Sequence, residues 1–83
     1  MPKILIVDDN RMVLRLLQKE LALENFQVLT LNTIELIWKY ILEMQPDLVL
    51  LGLHSEGFDS WRILNDIKKK IPTLPVLSLI HIW

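Results

Sequence analysis

The hydrophobic pattern of this chain of 83 residues changes period repeatedly, and that alternation limits it to few folds. Short runs of consecutive apolar residues alternate with segments in which apolar residues recur every three or four positions. The runs fit strands buried on both faces, and the segments between them fit helices with one apolar side. Because strands that alternate with helices form parallel sheets covered on both faces, the predicted fold class is α/β, in the order β-α-β-α-β-α-β.

Four apolar runs are predicted strands. They are residues 3–7, 26–31, 48–53 and 76–83.

Polar residues predict where the first two helices begin and end. Asp9 or Asn10 can cap the first helix, because a short polar side chain accepts a hydrogen bond from an N–H of the first turn, and Asn25 can end it. Residues 32–35 (Asn-Thr-Ile-Glu) resemble a capping box for the second helix, which Pro46 ends. The apolar positions of these two helices are Val13, Leu14, Leu17, Leu21, Ile34, Ile37, Ile41 and Met44.

The third helix is predicted to follow a loop at residues 54–58. Asp59 or Ser60 can cap it, and residues 68–70, all lysine, lie in its last turn, where the helix dipole favours cations. Its buried side is predicted to consist of Trp61, Leu64, Ile67 and Ile71.

Composition excludes several classes of protein. Without cysteine the chain forms neither disulfides nor thiolate–zinc sites. A net charge of −1 argues against a nucleic-acid or membrane-surface partner. No signal-peptide core and no apolar run of roughly 20 residues is present, and 52% hydrophobic residues are too many for a disordered tail. We therefore expect one cytoplasmic domain, residues 1–83.

The acidic pair after the first strand is the first candidate site. Open parallel sheets bind ligands at the carboxyl ends of their strands, where the strand order reverses. If strand 1 lies between strands 2 and 3, Asp8 and Asp9 come close to residues 52–54. Two adjacent carboxylates there can hold Mg²⁺. Alternatively both are solvated and one caps the helix, and the residues alone leave both interpretations open.

Four segments in one register resemble the receiver domains of bacterial two-component response regulators. Residues 3–9 resemble the family's first strand and acidic pair, and residues 46–51 its third strand. Residues 52–60 align with the family's D-x-x-M-P-x-x-D-G segment, and residues 75–79 resemble its fourth strand. The resemblance implies a flavodoxin-like, three-layer fold with four strands and three helices, without the family's last helix-strand-helix. It also leaves open whether Trp83 is the natural end of the chain.

In that family an aspartate ending strand 3 accepts a phosphoryl group from a sensor histidine kinase, beside Mg²⁺ held by the acidic pair. A Ser or Thr ending strand 4 and a Lys ending strand 5 contact the phosphoryl group. Asp8 and Asp9 match the acidic pair, whereas Gly52 stands at the phosphoacceptor position and Ile80 at the Ser/Thr position. The lysine has no counterpart. Because glycine supplies neither a carboxylate nucleophile nor a metal ligand, we predict no phosphotransfer at this site and at most weak Mg²⁺ binding.

Other polar residues have a structural interpretation that outweighs the functional one. His54 is near the predicted crevice, in a place for a metal ligand or a phosphoryl acceptor, but loop histidines are mostly solvated. Ser55 is a candidate nucleophile, but no histidine base is identifiable for it. Asp59 is expected to cap a helix, and His81 to make one wall of the pocket bulkier. The tryptophans are expected to be packing or edge residues: Trp38, Trp61 and Trp83.

Three functions remain open at this stage. The first is a pseudo-receiver that acts through contacts with a sensor kinase or a downstream signalling protein. The second is an inactive fragment of a receiver, whose fourth strand is an exposed edge able to pair with another copy of the chain. The third, a small α/β phosphatase or nucleotide-binding domain, is disfavoured because a glycine-rich turn, a P-loop and an Asp-x-Asp motif are all missing. We therefore expect no enzymatic activity.

Overall fold

The computed structural model describes residues 1–52 and 60–79, in which strands and helices alternate as the sequence predicts. The strands are β1 Lys3–Val7, β2 Gln27–Leu31, β3 Leu48–Gly52 and β4 Val76–Leu79. The helices are α1 Arg11–Leu23, α2 Ile37–Met44 and α3 Ser60–Lys70.

The four strands form one parallel sheet in the order β2-β1-β3-β4. Strand β1 therefore lies between β2 and β3, as the candidate site requires. Val7 pairs with Leu51 of β3. Since the register advances one residue at a time in a parallel pair, Asp8 and Gly52 come next to each other at the carboxyl edge.

Helices cover both faces of the sheet and give the predicted three layers. Alternate residues of a strand point to opposite faces, so each apolar strand supplies two separate cores. On one face, α1 packs against the sheet through Ile4, Ile6, Leu14, Leu17, Leu21 and Leu50. On the other face, α2 and α3 pack through Leu5, Val7, Ile37, Ile41, Val49, Leu51 and Ile67. Burial of these side chains supplies the main stabilising free energy of the fold.

The predicted ends of α1 and α2 are confirmed, but the predicted capping box is wrong. Asn25 and Gln45 have positive φ angles of 67° and 52° where the two helices end. At the start of α2, Thr33 Oγ1 instead accepts a hydrogen bond of 3.3 Å from the N–H of Glu35. Helix α2 begins only at Ile37, without a side-chain cap. The threonine hydroxyl stabilises a local turn two residues on, which competes with the helix for the same backbone.

The predicted burial of Trp61 is also wrong, since 60% of this side chain is exposed. Helix α3 faces the core through Ile67, which is fully buried, and through the partly buried Ile63 and Leu64. At 3.6 residues per turn, Trp61 lies about 120° round the helix from Ile67. A single apolar residue at a helical spacing is therefore not enough to predict that its side chain is buried.

Candidate functional site

The carboxylate of Asp8 is buried at the carboxyl end of β1. The N–H of Asp8 donates a hydrogen bond of 3.0 Å to the carbonyl oxygen of Leu31, which extends the pairing of β1 with β2 by one residue. The Asp8 side chain is 0% exposed. A buried carboxylate is costly unless hydrogen bonds compensate for the water it loses. Its partners therefore decide how the site is built.

One of these partners is Asn10, which joins the buried carboxylate to the first turn of α1. The N–H of Asn10 donates a hydrogen bond of 2.8 Å to Asp8 Oδ1. The Asn10 side-chain oxygen in turn accepts hydrogen bonds from the N–H groups of Met12 at 3.0 Å and Val13 at 3.3 Å. Of the two candidates for the cap of α1, the residue that caps it is Asn10.

Gly52 lies directly against the Asp8 carboxylate. A Cβ atom built on Gly52 would lie 2.6 Å from Asp8 Oδ2, 2.7 Å from its Cγ and 3.2 Å from its Oδ1. Non-bonded heavy atoms are in favourable contact only at about 3.5–4.0 Å. The carboxylate of Asp8 thus fills the volume that any side chain at position 52 would need.

The sheet register explains this close approach. Because Asp8 and Gly52 follow the paired residues Val7 and Leu51, their side-chain positions lie on the same side of neighbouring strands. Neighbouring strands are only about 4.8 Å apart, so a side chain on one strand reaches the adjacent position when that position is glycine.

The acidic pair and Gly52 do not fit a divalent cation as they are arranged. Asp9 is partly exposed, but Asp8 is fully buried and turned towards Gly52. Mg²⁺ prefers carboxylate oxygens together with several waters. Within residues 1–52 and 60–79, no group of three or more histidine, cysteine, aspartate or glutamate side chains is arranged to hold a metal ion. The structure therefore brings the acidic pair to the predicted place without the third carboxylate.

Several predicted site residues lie outside the described residues. They are Leu53, His54, Ser55, Asp59, Ile80, His81 and Trp83. The assignments of Ile80 to the family's Ser/Thr position and of Asp59 to the helix cap therefore stay predictions.

Trp38 has the packing role that the sequence predicts. Its partly buried ring packs against the core below α2 and α3. The Nζ atom of Lys70 lies 4.7 Å from the ring centroid, within the range of a cation–π contact.

Sequence reasoning missed the close contact between Asp8 and Gly52. From the sequence, Gly52 meant only the loss of a phosphoacceptor and of a metal ligand. The available signal was the glycine itself, because a glycine in an otherwise apolar strand often marks a place where another group approaches closely.

A parallel sheet of order 2-1-3-4 with acidic residues after β1 defines a flavodoxin-like protein with its site at the switch point of the strand order. The model of the family "Response regulator receiver domain" matches residues 4–80. The chain belongs to this family.

Solved receiver structures superpose closely on the chain. TrrA of Thermotoga maritima, in complex with Mg²⁺-BeF, is 29% identical with a TM-score of 0.88, over 96% of this chain and 70% of that one. The non-phosphorylated HemR receiver domain of Leptospira biflexa is 28% identical with a TM-score of 0.86, over 96% and 64%. A receiver protein's N-terminal domain from Methanoculleus marisnigri is 32% identical with a TM-score of 0.81, over 92% and 63%.

This chain thus matches about two thirds of the length of these structures, between 63% and 70%. A comparison with curated proteins gave no match. None of the helices within the described residues is long and apolar enough to cross a membrane.

Proposed function

We propose that this chain is a pseudo-receiver of a two-component phosphorelay, which takes up no phosphoryl group at position 52 and acts through protein contacts. The observation that supports this most strongly is Gly52 at the end of β3, beside the buried carboxylate of Asp8. Acyl-phosphate formation needs a carboxylate nucleophile, which glycine does not have. The module is not an enzyme, and its place in the cell is the cytoplasm.

The acidic pair is proposed to bind Mg²⁺ at most weakly. Asp8 has to leave the volume beside Gly52 before its carboxylate reaches a cation. That movement breaks the hydrogen bond from Asn10, and the loss of this bond opposes it. Asp9 then remains as the one member of the pair that is partly exposed.

Exposed apolar side chains on α1 support contact with another protein. Met12 is 81% exposed and Leu16 is 61% exposed, and they lie one turn apart just after the cap residue Asn10. Adjacent exposed apolar residues often mark interaction surfaces. A solved structure contains the histidine kinase ThkA in complex with TrrA, and it matches 98% of this chain at 28% identity. This complex supports a sensor kinase as the partner. A downstream signalling protein is the alternative partner.

Exposure to a small-molecule phosphodonor tests the proposed function. The chain is incubated with acetyl phosphate and MgCl₂, and its intact mass is measured beside that of a receiver domain with aspartate at the matching position. We expect an adduct of one phosphoryl group on the control protein and none on this chain. A stoichiometric adduct would refute the proposal, and the variants Asp8→Asn and Asp9→Asn would then show which carboxylate had reacted.

A further inference from the structure

Resting on the proposed function, we propose that Asp8 and Gly52 form a closed pair, in which the Asp8 carboxylate takes the place of a side chain at position 52. The pair keeps the site shut to Mg²⁺, so the fold does not respond to this cation. The exclusion of Mg²⁺ depends on both residues, and neither of them produces it alone.

The first support for the closed pair is the extent of the overlap. All three carboxylate atoms of Asp8 lie within 3.2 Å of a Cβ built on Gly52, and the nearest is at 2.6 Å. A residue other than glycine at this position therefore requires Asp8 to move. The three nearest atoms all belong to the side chain of Asp8, so we expect a smaller residue 8 to relieve the closest overlap.

The second support is that Asp8 is held in place. Its carboxylate is 0% exposed and accepts a hydrogen bond of 2.8 Å from the N–H of Asn10. Hydrogen bonds to charged groups are stronger than those between neutral groups, and breaking a buried one leaves a polar group without compensation. A small side chain added at position 52 therefore has a destabilising effect even though aspartate has a flexible χ1 angle.

The consequence for cations follows from the same geometry. A carboxylate that is buried against a neighbouring strand offers no oxygen to a hydrated Mg²⁺ ion, which keeps several of its waters when it binds. A ligand stabilises the folded state only if it binds that state. The unmodified chain is therefore equally stable with and without Mg²⁺.

A double-mutant cycle between residues 8 and 52 tests the pairing. Thermal midpoints are measured by circular dichroism for the unmodified chain, Gly52→Ala, Asp8→Ala and the double variant. We expect Gly52→Ala to lower the midpoint by several degrees when Asp8 is present. In the Asp8→Ala background the same change should leave the midpoint unchanged or raise it, because alanine restricts the unfolded chain more than glycine does.

Two further variants make the cycle specific. Asp8→Asn has the same shape without the charge, so Gly52→Ala should lower the midpoint in this background as well. Asp8→Ser is smaller and still offers an oxygen to Asn10, so it repeats the cycle if Asp8→Ala does not fold. An equal loss from Gly52→Ala in every background would overturn the pairing.

Cation exclusion is tested on the unmodified chain. Its thermal midpoint is compared in MgCl₂ and in NaCl of the same ionic strength, and we expect no difference. A rise of several degrees in MgCl₂ would overturn the exclusion. These measurements report only stability. A result that contradicts the closed pair would therefore not change the conclusion from the phosphodonor experiment. A phosphoryl adduct would in turn not change the conclusion from the double-mutant cycle.

Discussion

The N–H of Asn10 donates a hydrogen bond of 2.8 Å to Oδ1 of Asp8, and this bond joins the candidate site to helix α1. The same asparagine caps the helix through its side chain. Any movement of the Asp8 carboxylate therefore acts on the first turn of α1. The exposed residues Met12 and Leu16 follow directly on that turn.

Replacement of the cap residue should destabilise the domain measurably. Asn10→Ala removes the acceptor for the N–H groups of Met12 and Val13, and we expect a loss of about 1 kcal/mol in the free energy of unfolding. Asn10→Ser retains a capping oxygen and should lose less. Urea denaturation measures both, and an alanine variant as stable as the unmodified chain would contradict the role of the cap.

Truncation of the fully buried Ile67 should have a larger effect. Its side chain joins α3 to the sheet, so Ile67→Ala leaves a cavity that should cost about 2–5 kcal/mol. The matched change on the same helix is Trp61→Ala. Because Trp61 is 60% exposed, we expect its loss to change stability by no more than about 0.5 kcal/mol. Equal effects of the two changes in urea denaturation would contradict the observed orientation of α3.

The contact of Lys70 with Trp38 should be visible in tryptophan fluorescence. Lys70→Met removes the cation that lies 4.7 Å from the ring centroid and retains an unbranched apolar chain. We expect a shift in the summed tryptophan emission, to which Trp38 contributes, and a stability loss of about 0.5–1 kcal/mol, as for cation–π contacts at exposed sites. Lys69→Met is the control, and an identical spectrum for both variants would argue against the contact.

Self-association through β4 is the fourth prediction. Strand β4 is an outer strand of the described sheet, and Leu77 on it is 56% exposed. An exposed apolar edge strand favours pairing with another chain. We expect a concentration-dependent oligomer in sedimentation velocity, which Leu77→Lys should weaken.

The control for that experiment is Leu23→Lys. Leu23 is 70% exposed at the end of α1, so a lysine there should leave association unchanged. A monomer at all accessible concentrations would exclude an oligomer formed through β4.

The strands and their order could be predicted because the signals are strong and agree with one another. Runs such as Ile4–Val7 are apolar on both faces, and only a covered parallel sheet buries such strands completely. The cap at Asn10 and the left-handed end at Asn25 follow from local side-chain and backbone preferences, and the structure contains both.

Features that depend on competition between neighbours could not be predicted. Thr33 forms a local turn with Glu35 although the same residues satisfy the capping-box pattern. Trp61 matches one helical interval but lies off the face centred on Ile67. Both errors arise because a pattern states what a residue is able to do, whereas packing decides between alternatives of similar free energy.

The position of the candidate site was predictable, but the orientation of the Asp8 carboxylate within it was not. The acidic pair and Gly52 follow from strand ends and from the family resemblance. The orientation of Asp8 depends on the local bond from Asn10 and also on the register of β1 and β3, which joins segments far apart in the sequence.

Broadening of backbone amide NMR signals by Mn²⁺ tests most directly whether Asp8 and Gly52 close the site to cations. Mn²⁺ prefers the same oxygen ligands as Mg²⁺ and broadens the signals of nearby nuclei. We expect the amides of Asp8, Asp9 and Gly52 to broaden no more than those beside exposed acids such as Glu20 and Glu43. Selective broadening at these three amides with less than one equivalent of Mn²⁺ would contradict the closed pair.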